Sequence, residues 1–225
     1  VQFGDILKNT ERALPWPKRA DSVAQFQYTG GTTGVPKGAM LTHRNLISNV
    51  LQAREFLGDL LLDDGEVMLG ALPFFHIYGQ VAIMLSGLVR GHTLVLFTNP
   101  DTDAILASME RYRATIFYGV PTLFEYLKDH KDTAKADWKR LKVLVSGADM
   151  LHESTMAEWS KRTGTEITEG YGLTEAAAVC HVNPMQRRKP GSFGCPVTNL
   201  LAAVIDPATL EFVAPGSIGE LVLSG

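Results

Sequence analysis

The stretch that decides the fold is Tyr28-Thr29-Gly30-Gly31-Thr32-Thr33-Gly34-Val35-Pro36-Lys37-Gly38, which follows a predicted strand and precedes a predicted helix. Its glycines let backbone N–H groups approach an anion, and its threonine hydroxyls and lysine ammonium add donors, so we expect it to cradle phosphate. It is not a Walker A loop, because two residues separate Lys37 from Gly34 and Gly38 stands in place of Ser or Thr. A glycine-rich turn with a solvated lysine is the alternative that the loop by itself leaves open.

Around this loop, across residues 23–171, short apolar runs alternate with amphipathic ones. Parallel strands that are buried on both faces and joined by crossover helices produce this pattern. The sequence therefore predicts an α/β fold, with a mostly parallel sheet flanked by helices. The predicted strands are residues 24–28, 67–72, 93–97, 115–118, 141–145 and 166–168.

The helix predicted after the first strand starts at Thr42, whose hydroxyl suits an N-cap. One stripe of this helix is apolar and is predicted to face the core, while Arg44, Asn49 and Gln52 lie outside it. The stripe consists of Leu46, Ile47, Val50, Leu51 and Leu57.

Two later helices follow the same logic. Asp101 or Thr102 can cap the first, and Pro121 suits the first turn of the second. Their predicted core-facing residues are Ile105, Leu106, Met109 and Tyr112 in one helix, and Leu123, Phe124 and Leu127 in the other.

The character of the chain changes at about residue 190, where glycines and prolines punctuate two apolar runs, residues 200–205 and 220–223. Such punctuation predicts antiparallel β structure. We therefore divide the chain into a lead-in segment (1–22), an α/β nucleotide-binding subdomain (23–189) and a truncated β-rich subdomain (190–225). Because the chain starts without Met and stops in strand-like sequence, both ends are predicted to be boundaries within a longer protein.

The composition of the 225 residues, 45% apolar and 20% charged, is that of a globular protein. A net charge of −3 argues against a dedicated nucleic-acid binder. Cys180 and Cys195 are too few for a disulfide framework and wrongly spaced for zinc, which favours a cytoplasmic location. No apolar run reaches the ~20 residues of a spanning helix. Peripheral contact with the inner membrane and the oligomeric state stay open.

Three other types of site are excluded by spacing. His152-Glu153 fails the zinc-protease pattern because Met156 stands at the second histidine position, and no serine-hydrolase G-x-S-x-G motif occurs. Gly170 and Gly172 resemble the opening of a dinucleotide fingerprint, but Glu175 occupies its third glycine position. The remaining histidines lack ligand spacing and are interpreted as surface or helix residues. They are His43, His92, His130 and His181.

Three motifs in the same chain resemble those of the adenylate-forming superfamily, which groups acyl-CoA synthetases, beetle luciferases and nonribosomal-peptide adenylation domains. The amino-acid sequence of residues 27–34 and 40–46 is most similar to that of bacterial long-chain fatty-acyl-CoA synthetases. The second motif is Leu72-Pro73-Phe74-Phe75-His76-Ile77-Tyr78-Gly79, and the third is Glu169-Gly170-Tyr171-Gly172-Leu173-Thr174-Glu175. The resemblance implies a central fragment of the family's large N-terminal domain.

The resemblance implies a ligase that uses ATP, Mg²⁺ and CoA with medium- to long-chain fatty acids. A fatty carboxylate would attack the α-phosphorus of ATP, and CoA would then displace AMP from the acyl-adenylate. The nucleophile of the first step is already an anion, so no side chain has to remove a proton from it. The protein's task is to position two anions and neutralise the leaving pyrophosphate.

Individual roles carry over from the same resemblance. The residues implied for the ATP phosphates are Thr29, Gly30, Gly31, Thr32, Thr33, Gly34 and Lys37. Those implied for adenine and AMP are Gly147, Ala148, Glu169, Gly170, Tyr171, Gly172 and Thr174. Those implied for the acyl pocket are Phe75, His76 and Gly79. Glu175 would hold Mg²⁺, and the catalytic set would be Lys37, His76, Thr174 and Glu175.

The chain departs from the family in three respects. Gly30 replaces a frequent serine, and Asp149 with Met150 replaces small residues or proline near adenine. The family's ribose-binding aspartate and adenylation lysine would lie beyond Gly225, so the fragment alone is expected to be inactive. The alternatives left open are a fatty-acyl-AMP ligase, an aryl- or amino-acid-activating enzyme, and a non-catalytic ATP-binding module.

Overall fold

The computed structural model describes residues 19–29, 36–61 and 65–225. The lead-in segment through residue 18 lies outside these ranges, as do Gly30, Gly31, Thr32, Thr33 and Gly34 of the phosphate loop. The roles expected of those five loop residues therefore stay predictions.

The regular elements are as follows. The described strands are β1 (Val23–Thr29), β2 (Lys37–Thr42), β3 (Val67–Gly70), β4 (Thr93–Leu96), β5 (Ile116–Gly119), β6 (Val143–Ser146), β7 (Thr168–Leu173), β8 (Ala178–Val182), β9 (Cys195–Pro196), β10 (Leu201–Ile205) and β11 (Glu220–Ser224). The described α-helices are α1 (His43–Leu57), α2 (Ser86–Val89), α3 (Thr102–Tyr112), α4 (Pro121–Asp129) and α5 (Glu153–Thr163). A π-helical segment, Gly79–Leu85, runs directly into α2, and short 3₁₀ turns occupy Gly58–Leu60, Thr133–Lys135, Trp138–Arg140 and Thr174–Ala176.

Within the described residues, seven strands form the main sheet in the order β4-β3-β5-β6-β7-β8-β9. Neighbours from β4 to β7 run parallel, and β8 and β9 are added antiparallel. The predicted α/β class with a mostly parallel, helix-flanked sheet is confirmed. The last predicted parallel strand, residues 166–168, is wrong in its bounds, because β7 spans Thr168–Leu173 and includes the glycines of the third motif.

The predicted first strand does not join this sheet. β1 pairs with β2 in a separate antiparallel hairpin whose register runs from Val23 opposite Thr42 to Thr29 opposite Lys37. β2 was not among the predicted strands, because its polar start is typical of a loop. The hairpin places the two ends of the phosphate loop side by side.

The core lies on both faces of the main sheet because alternate strand residues point to opposite sides. Leu69 of β3 belongs to a cluster with Trp159 of α5 on one face. The next residue along the strand, Met68, belongs to a cluster with Ile83 of the π-helical segment on the other face. This double burial explains why the strands read as continuous apolar runs.

Helix α1 begins as predicted but turns a different stripe inward. The Thr42 hydroxyl accepts the Asn45 N–H at 3.1 Å, which confirms the N-cap. Ile47 and Leu51, predicted to face the core, are 47% and 48% exposed, whereas Asn49, predicted outside, is 3% exposed. The predicted stripe is wrong on these three residues, because α1 packs on β8 and the π-helical segment through the Asn49 side of the helix.

Helices α3 and α4 largely follow the prediction. The Asp101 carboxylate accepts the Ala104 N–H at 2.7 Å, and Pro121 stands in the first turn of α4. Tyr112 is 41% exposed, so its predicted core position is wrong. Instead, Tyr112 ends α3 at the surface, where the Arg111 guanidinium lies 5.2 Å from the centre of its ring.

The last part of the chain forms the predicted antiparallel pair. β10 and β11 pair from Leu201 opposite Ser224 to Ile205 opposite Glu220. The division of the chain into three parts stays a prediction, and β9, at residues 195–196, belongs to the main sheet. In the part of the chain that the structure describes, no helix is both long and apolar enough to cross a membrane.

Candidate functional site

A cavity of about 330 Å³ lies beyond the carboxyl ends of β6 and β7. α1, the π-helical segment and the β7–β8 hairpin form its remaining walls. The predicted site residues that line it are Thr29, His76, Gly147, Ala148, Gly170, Tyr171, Gly172, Thr174 and Glu175. Pieces of all three sequence motifs therefore meet at one place, the usual position of a ligand in a parallel α/β sheet.

Of the predicted site residues that the structure describes, four do not line this cavity. Phe75 is 82% exposed, and Gly79 is packed so that an added Cβ would lie 2.5 Å from the Pro73 carbonyl oxygen. Of the three residues expected in the acyl pocket, the structure thus places His76 alone on the cavity wall. Lys37 lies on exposed β2 at the foot of the phosphate loop, where its carbonyl accepts the Thr29 hydroxyl at 3.4 Å.

Glu169 is the fourth predicted site residue that does not line the cavity. It faces a second cleft beside Asn183. One of its carboxylate oxygens accepts the Leu151 N–H at 3.3 Å. Burial raises the pKa of Glu169, since a buried carboxylate loses hydration.

The part of the cavity wall that follows β6, which is predicted to face adenine, is shaped by close approach of the backbone. An added Cβ on Gly147 would lie 3.1 Å from the Tyr78 ring, so a side chain at this position would require that ring to shift. Ala148 follows with φ of 72°, a left-handed conformation that turns the chain away from the sheet. Asp149 departs from the small residue or proline that the family usually has near adenine. Its side chain is exposed and accepts the Met150 N–H at 2.8 Å.

His76 has a defined hydrogen-bonding role at the mouth of the cavity. Its Nδ1 atom accepts the backbone N–H of Tyr78 at 3.2 Å. A neutral imidazole that accepts at Nδ1 carries its proton on Nε2, so His76 offers a donor there. This geometry suits a group that orients a bound oxygen.

Two tyrosines that the sequence analysis did not select line the inner cavity. The rings of Tyr78 and Tyr118 meet edge to face with their centres 6.1 Å apart. Burial raises the pKa of Tyr78 above its usual range and that of Tyr118 to about 12, so both phenols are neutral. Tyr78 belongs to the second motif, and this membership could have identified it as a site residue from the sequence. Tyr118 belongs to none of the three motifs.

Tyr171 lines the cavity and also belongs to an aromatic cluster. Its ring centre lies 4.9 Å from that of Phe193 and 6.2 Å from that of His181. His181 is 3% exposed, so its interpretation as a surface or helix residue is wrong. Burial lowers its pKa, which keeps the imidazole neutral.

We expect buried His181 to make stability depend on pH. The unfolded chain takes up its proton at about pH 6.5, but the folded chain does so at a lower pH. Above about pH 6.5 both states are neutral and His181 contributes no pH dependence. As the pH falls below that value, stability is lost by at most about 1.4 kcal/mol per pH unit, until the folded pKa is reached.

Urea denaturation at about pH 7.5 and about pH 5.5 measures this loss. The His181→Gln variant should lose less stability between the two pH values than the wild-type chain. His43→Gln, on the exposed first turn of α1, is the matched control and should behave like wild type. Equal losses in wild type and His181→Gln would contradict the prediction.

Thr174 and Glu175 are held by a tight connection between β7 and β8. They occupy a 3₁₀ turn that is followed by Ala177 and Ala178, whose φ angles are 58° and 114°. An added Cβ on Gly172 would lie 1.9 Å from the Ala178 carbonyl oxygen. The exposed Glu175 carboxylate therefore lies on the cavity wall within a turn whose backbone conformation few residue types can adopt.

This fold and site define a class of protein, an α/β domain with a cavity beyond the carboxyl ends of its parallel strands. Over residues 3–225 the chain matches the model of the AMP-binding enzymes, and it belongs to this family. The resemblance inferred from the three motifs is thereby confirmed.

Known relatives agree with this assignment. The chain is 37% identical over 227 residues to the long-chain-fatty-acid–CoA ligase of Bacillus subtilis (strain 168), covering 99% of this chain and 40% of that protein. It superposes on ATP-bound MatB from Rhodopseudomonas palustris with a TM-score of 0.82 and 34% identity, covering 92% of this chain and 40% of that one. A long-chain-fatty-acid-CoA ligase from Archaeoglobus fulgidus gives 0.80 and 28%, with coverages of 91% and 42%. The chain thus spans about two fifths of the length of these relatives.

Proposed function

We propose that the protein carrying this chain is an ATP-dependent fatty acid–CoA ligase. The observation that carries this proposal is the single cavity in which Gly147, Tyr171 and Glu175 border an apolar interior. The family and the B. subtilis relative support the same activity. This chain would supply much of the site for the first half-reaction.

The nucleotide would bind across the ends of β6 and β7. Tyr171 would pack against the adenine ring, and Gly147 and Ala148 would line the other side of the purine; all three residues line the cavity. Thr174 would donate to the α-phosphate. The loop between Thr29 and Lys37 would hold the β- and γ-phosphates, because the hairpin fixes its two ends next to each other.

The first step joins a carboxylate oxygen of the fatty acid to the α-phosphorus and breaks the bond from that phosphorus to the bridging oxygen of pyrophosphate. The products are acyl-adenylate and pyrophosphate. The Lys37 ammonium would neutralise charge on the leaving group, and the Nε2–H of His76 would orient the carboxylate. In the second step the CoA sulfur attacks the acyl carbon, AMP leaves, and the thiol proton is released.

The residues present fit a magnesium ion bound together with ATP. Mg²⁺ is usually held by one or two carboxylates plus substrate phosphates and water. Glu175 supplies one exposed carboxylate on the cavity wall, and among the described residues no group of three or more His, Cys, Asp or Glu forms a self-sufficient metal cage. When bound, Mg²⁺ would supply charge neutralisation at the phosphates.

The interior of the cavity favours an apolar acyl group. Phe56, Val81 and Val145 are among its lining residues, and Glu175 is the sole Asp, Glu, Lys or Arg among the described residues that line it. A second carboxylate on the substrate, or an amino group, would lose hydration there without a matching charge. The apolar lining of the cavity is best suited to a monocarboxylic acid with a hydrocarbon chain.

The decisive experiment is ATP–pyrophosphate exchange by the complete protein with a panel of carboxylic acids. Fatty acids should support exchange, whereas malonate and amino acids should not. A following assay for acyl-CoA separates a CoA ligase from a fatty-acyl-AMP ligase. Absence of exchange with every acid, in a folded protein that binds Mg·ATP, would favour a non-catalytic binding module.

Lys37→Ala tests the phosphate assignment in the same assay. Loss of charge-assisted hydrogen bonds should cost about 1.5–3 kcal/mol, or roughly a ten- to hundredfold weaker binding of ATP by calorimetry. Lys131→Ala, an exposed lysine after α4, is the control and should bind like wild type. Equal affinities in both variants would contradict the role given to Lys37.

A further inference from the structure

Asn49 is a buried polar residue on the side of α1 that faces β8. Its Nδ2 atom donates to the Val179 carbonyl at 2.7 Å, and the Val179 N–H donates to its Oδ1 atom at 3.1 Å. The same Nδ2 reaches the Ala176 carbonyl at 3.5 Å. The Asn49 carboxamide thus satisfies both backbone groups of a residue 130 positions away.

These bonds fall where the β7–β8 ladder is irregular. Tyr171 pairs with His181 but Gly172 pairs with Val179, so the register shifts between them. Such a shift turns backbone groups away from the neighbouring strand. The residue that the shift leaves without a β7 partner is Cys180. Directly before it, Val179 pairs with Gly172 of β7, and both its N–H and its C=O bond to the Asn49 side chain.

The same bonds hold the end of the turn that carries Glu175. Ala177 and Ala178, between Ala176 and Val179, adopt positive φ angles that non-glycine residues seldom take. Such conformations persist only when the surroundings fix them. Asn49 contacts the backbone on both sides of this pair, at Ala176 and at Val179.

Asn49 also connects the Glu175 turn with the strand that begins at Lys37. α1 starts immediately after β2, the strand whose first residue is Lys37 at the foot of the phosphate loop. The buried face shared by β2, α1 and the turn includes Leu41, Val50 and Ala177. Within it, Asn49 supplies directed hydrogen bonds, which fix orientation more narrowly than apolar contact does.

We propose that Asn49 is a positioning residue that sets the Thr174–Glu175 turn against β2, the strand that begins at Lys37. This proposal rests on the proposed function, since it assumes that Glu175 serves a Mg²⁺ ion bound with ATP. Asn49 lines the cavity wall but acts through the backbone of Val179 and Ala176.

The test is the kinetics of ATP–pyrophosphate exchange by the complete protein with Asn49→Ala. A displaced carboxylate should lower the exchange rate about ten- to a hundredfold and raise the Mg²⁺ concentration needed for half-maximal rate. The melting temperature, measured in parallel, shows whether the assay temperature lies well below unfolding. A residue that only stabilises the fold would lower the melting temperature and leave the Mg²⁺ dependence unchanged.

Gln52→Ala is the matched control. Gln52 lies one turn further along α1, where it donates to the Thr198 carbonyl at 2.7 Å and accepts the Asn49 Nδ2–H at 3.3 Å. It does not bond to Val179 or Ala176, so Gln52→Ala removes a hydrogen bond of Asn49 but leaves the bonds that reach the turn. Its loss should leave exchange and Mg²⁺ dependence as in wild type. Asn49→Asp keeps the acceptor for the Val179 N–H but places a carboxylate oxygen in place of the donor to the Val179 carbonyl, so we expect a shift in the same direction.

The outcomes separate this proposal from the proposed function. Wild-type exchange and wild-type Mg²⁺ dependence in folded Asn49→Ala would overturn the positioning role alone. Absence of exchange in the wild-type protein would overturn the proposed function and the positioning role with it. If Asn49→Ala does not fold, Asn49→Asp decides, and an unchanged Mg²⁺ dependence in that variant would overturn the proposal.

Discussion

Gly172→Ala should destabilise the protein by about 3 kcal/mol or more and abolish measurable ATP binding. A methyl group at this position would lie 1.9 Å from the Ala178 carbonyl oxygen and 2.7 Å from the carbonyl carbon. Both atoms are backbone, so the clash cannot be relieved by a side-chain rotation. The β7–β8 hairpin would have to open, and Thr174 and Glu175 would move with it.

Gly170→Ala is the matched control for stability. Gly170 lies two residues earlier on β7, and its added Cβ would meet the Val145 side chain at 3.5 Å and the His181 carbonyl oxygen at 3.8 Å, which are ordinary contacts. Its unfolding free energy should stay within about 1 kcal/mol of wild type. Urea denaturation of both variants measures the difference, and a Gly172→Ala protein as stable as Gly170→Ala would show that the hairpin adapts.

The central strands could be predicted from the sequence because burial on both faces leaves an unambiguous apolar run. β3, β5 and β6 all overlap the predicted strands. β2 and β8 were not predicted, because the sequence in or just before each strand is typical of a loop. β2 opens with Lys37 and Gly38, which read as loop, whereas β8 follows a glycine-rich motif that reads as a connection. Their strand character depends on partners across a hairpin.

The inward face of α1 could not be predicted because periodicity ranks residues by polarity. Asn49 is polar, yet it is buried since Val179 needs both a donor and an acceptor. Val179 lies beside a register shift in a hairpin far along the chain, and no pattern within α1 reports this contact. Ile47 and Leu51 are apolar but face solvent within the described part of the chain.

Site residues that belong to a sequence motif could be predicted. Site residues that are brought to the cavity by tertiary packing alone could not. The motifs supplied His76, Tyr171 and Glu175, and the structure brings these three to one cavity. His181 lies behind Tyr171, and Tyr118 lines the interior, yet neither belongs to a motif. Their places follow from strand register and from the depth of the cavity, which no local pattern encodes.

Glu175→Gln should lower the rate of ATP–pyrophosphate exchange about a hundred- to a thousandfold while leaving the fold intact. The substitution keeps the size and exposure of the side chain but removes the negative charge proposed to hold Mg²⁺ against the phosphates. Because Glu175 is exposed, we expect the unfolding free energy to change by less than about 0.5 kcal/mol. A large catalytic loss with unchanged stability is the signature of a group that acts on the ligand.

Calorimetric titration of ATP at several Mg²⁺ concentrations gives a readout independent of turnover. Wild-type protein should bind ATP more tightly as Mg²⁺ rises, whereas Glu175→Gln should show a weaker dependence. Glu211→Gln, an exposed carboxylate outside the cavity lining, is the control and should match wild type in both assays. If Glu175→Gln kept the wild-type Mg²⁺ dependence, the carboxylate would be assigned to the turn's own structure, and the ion would have to be held by ATP and other groups.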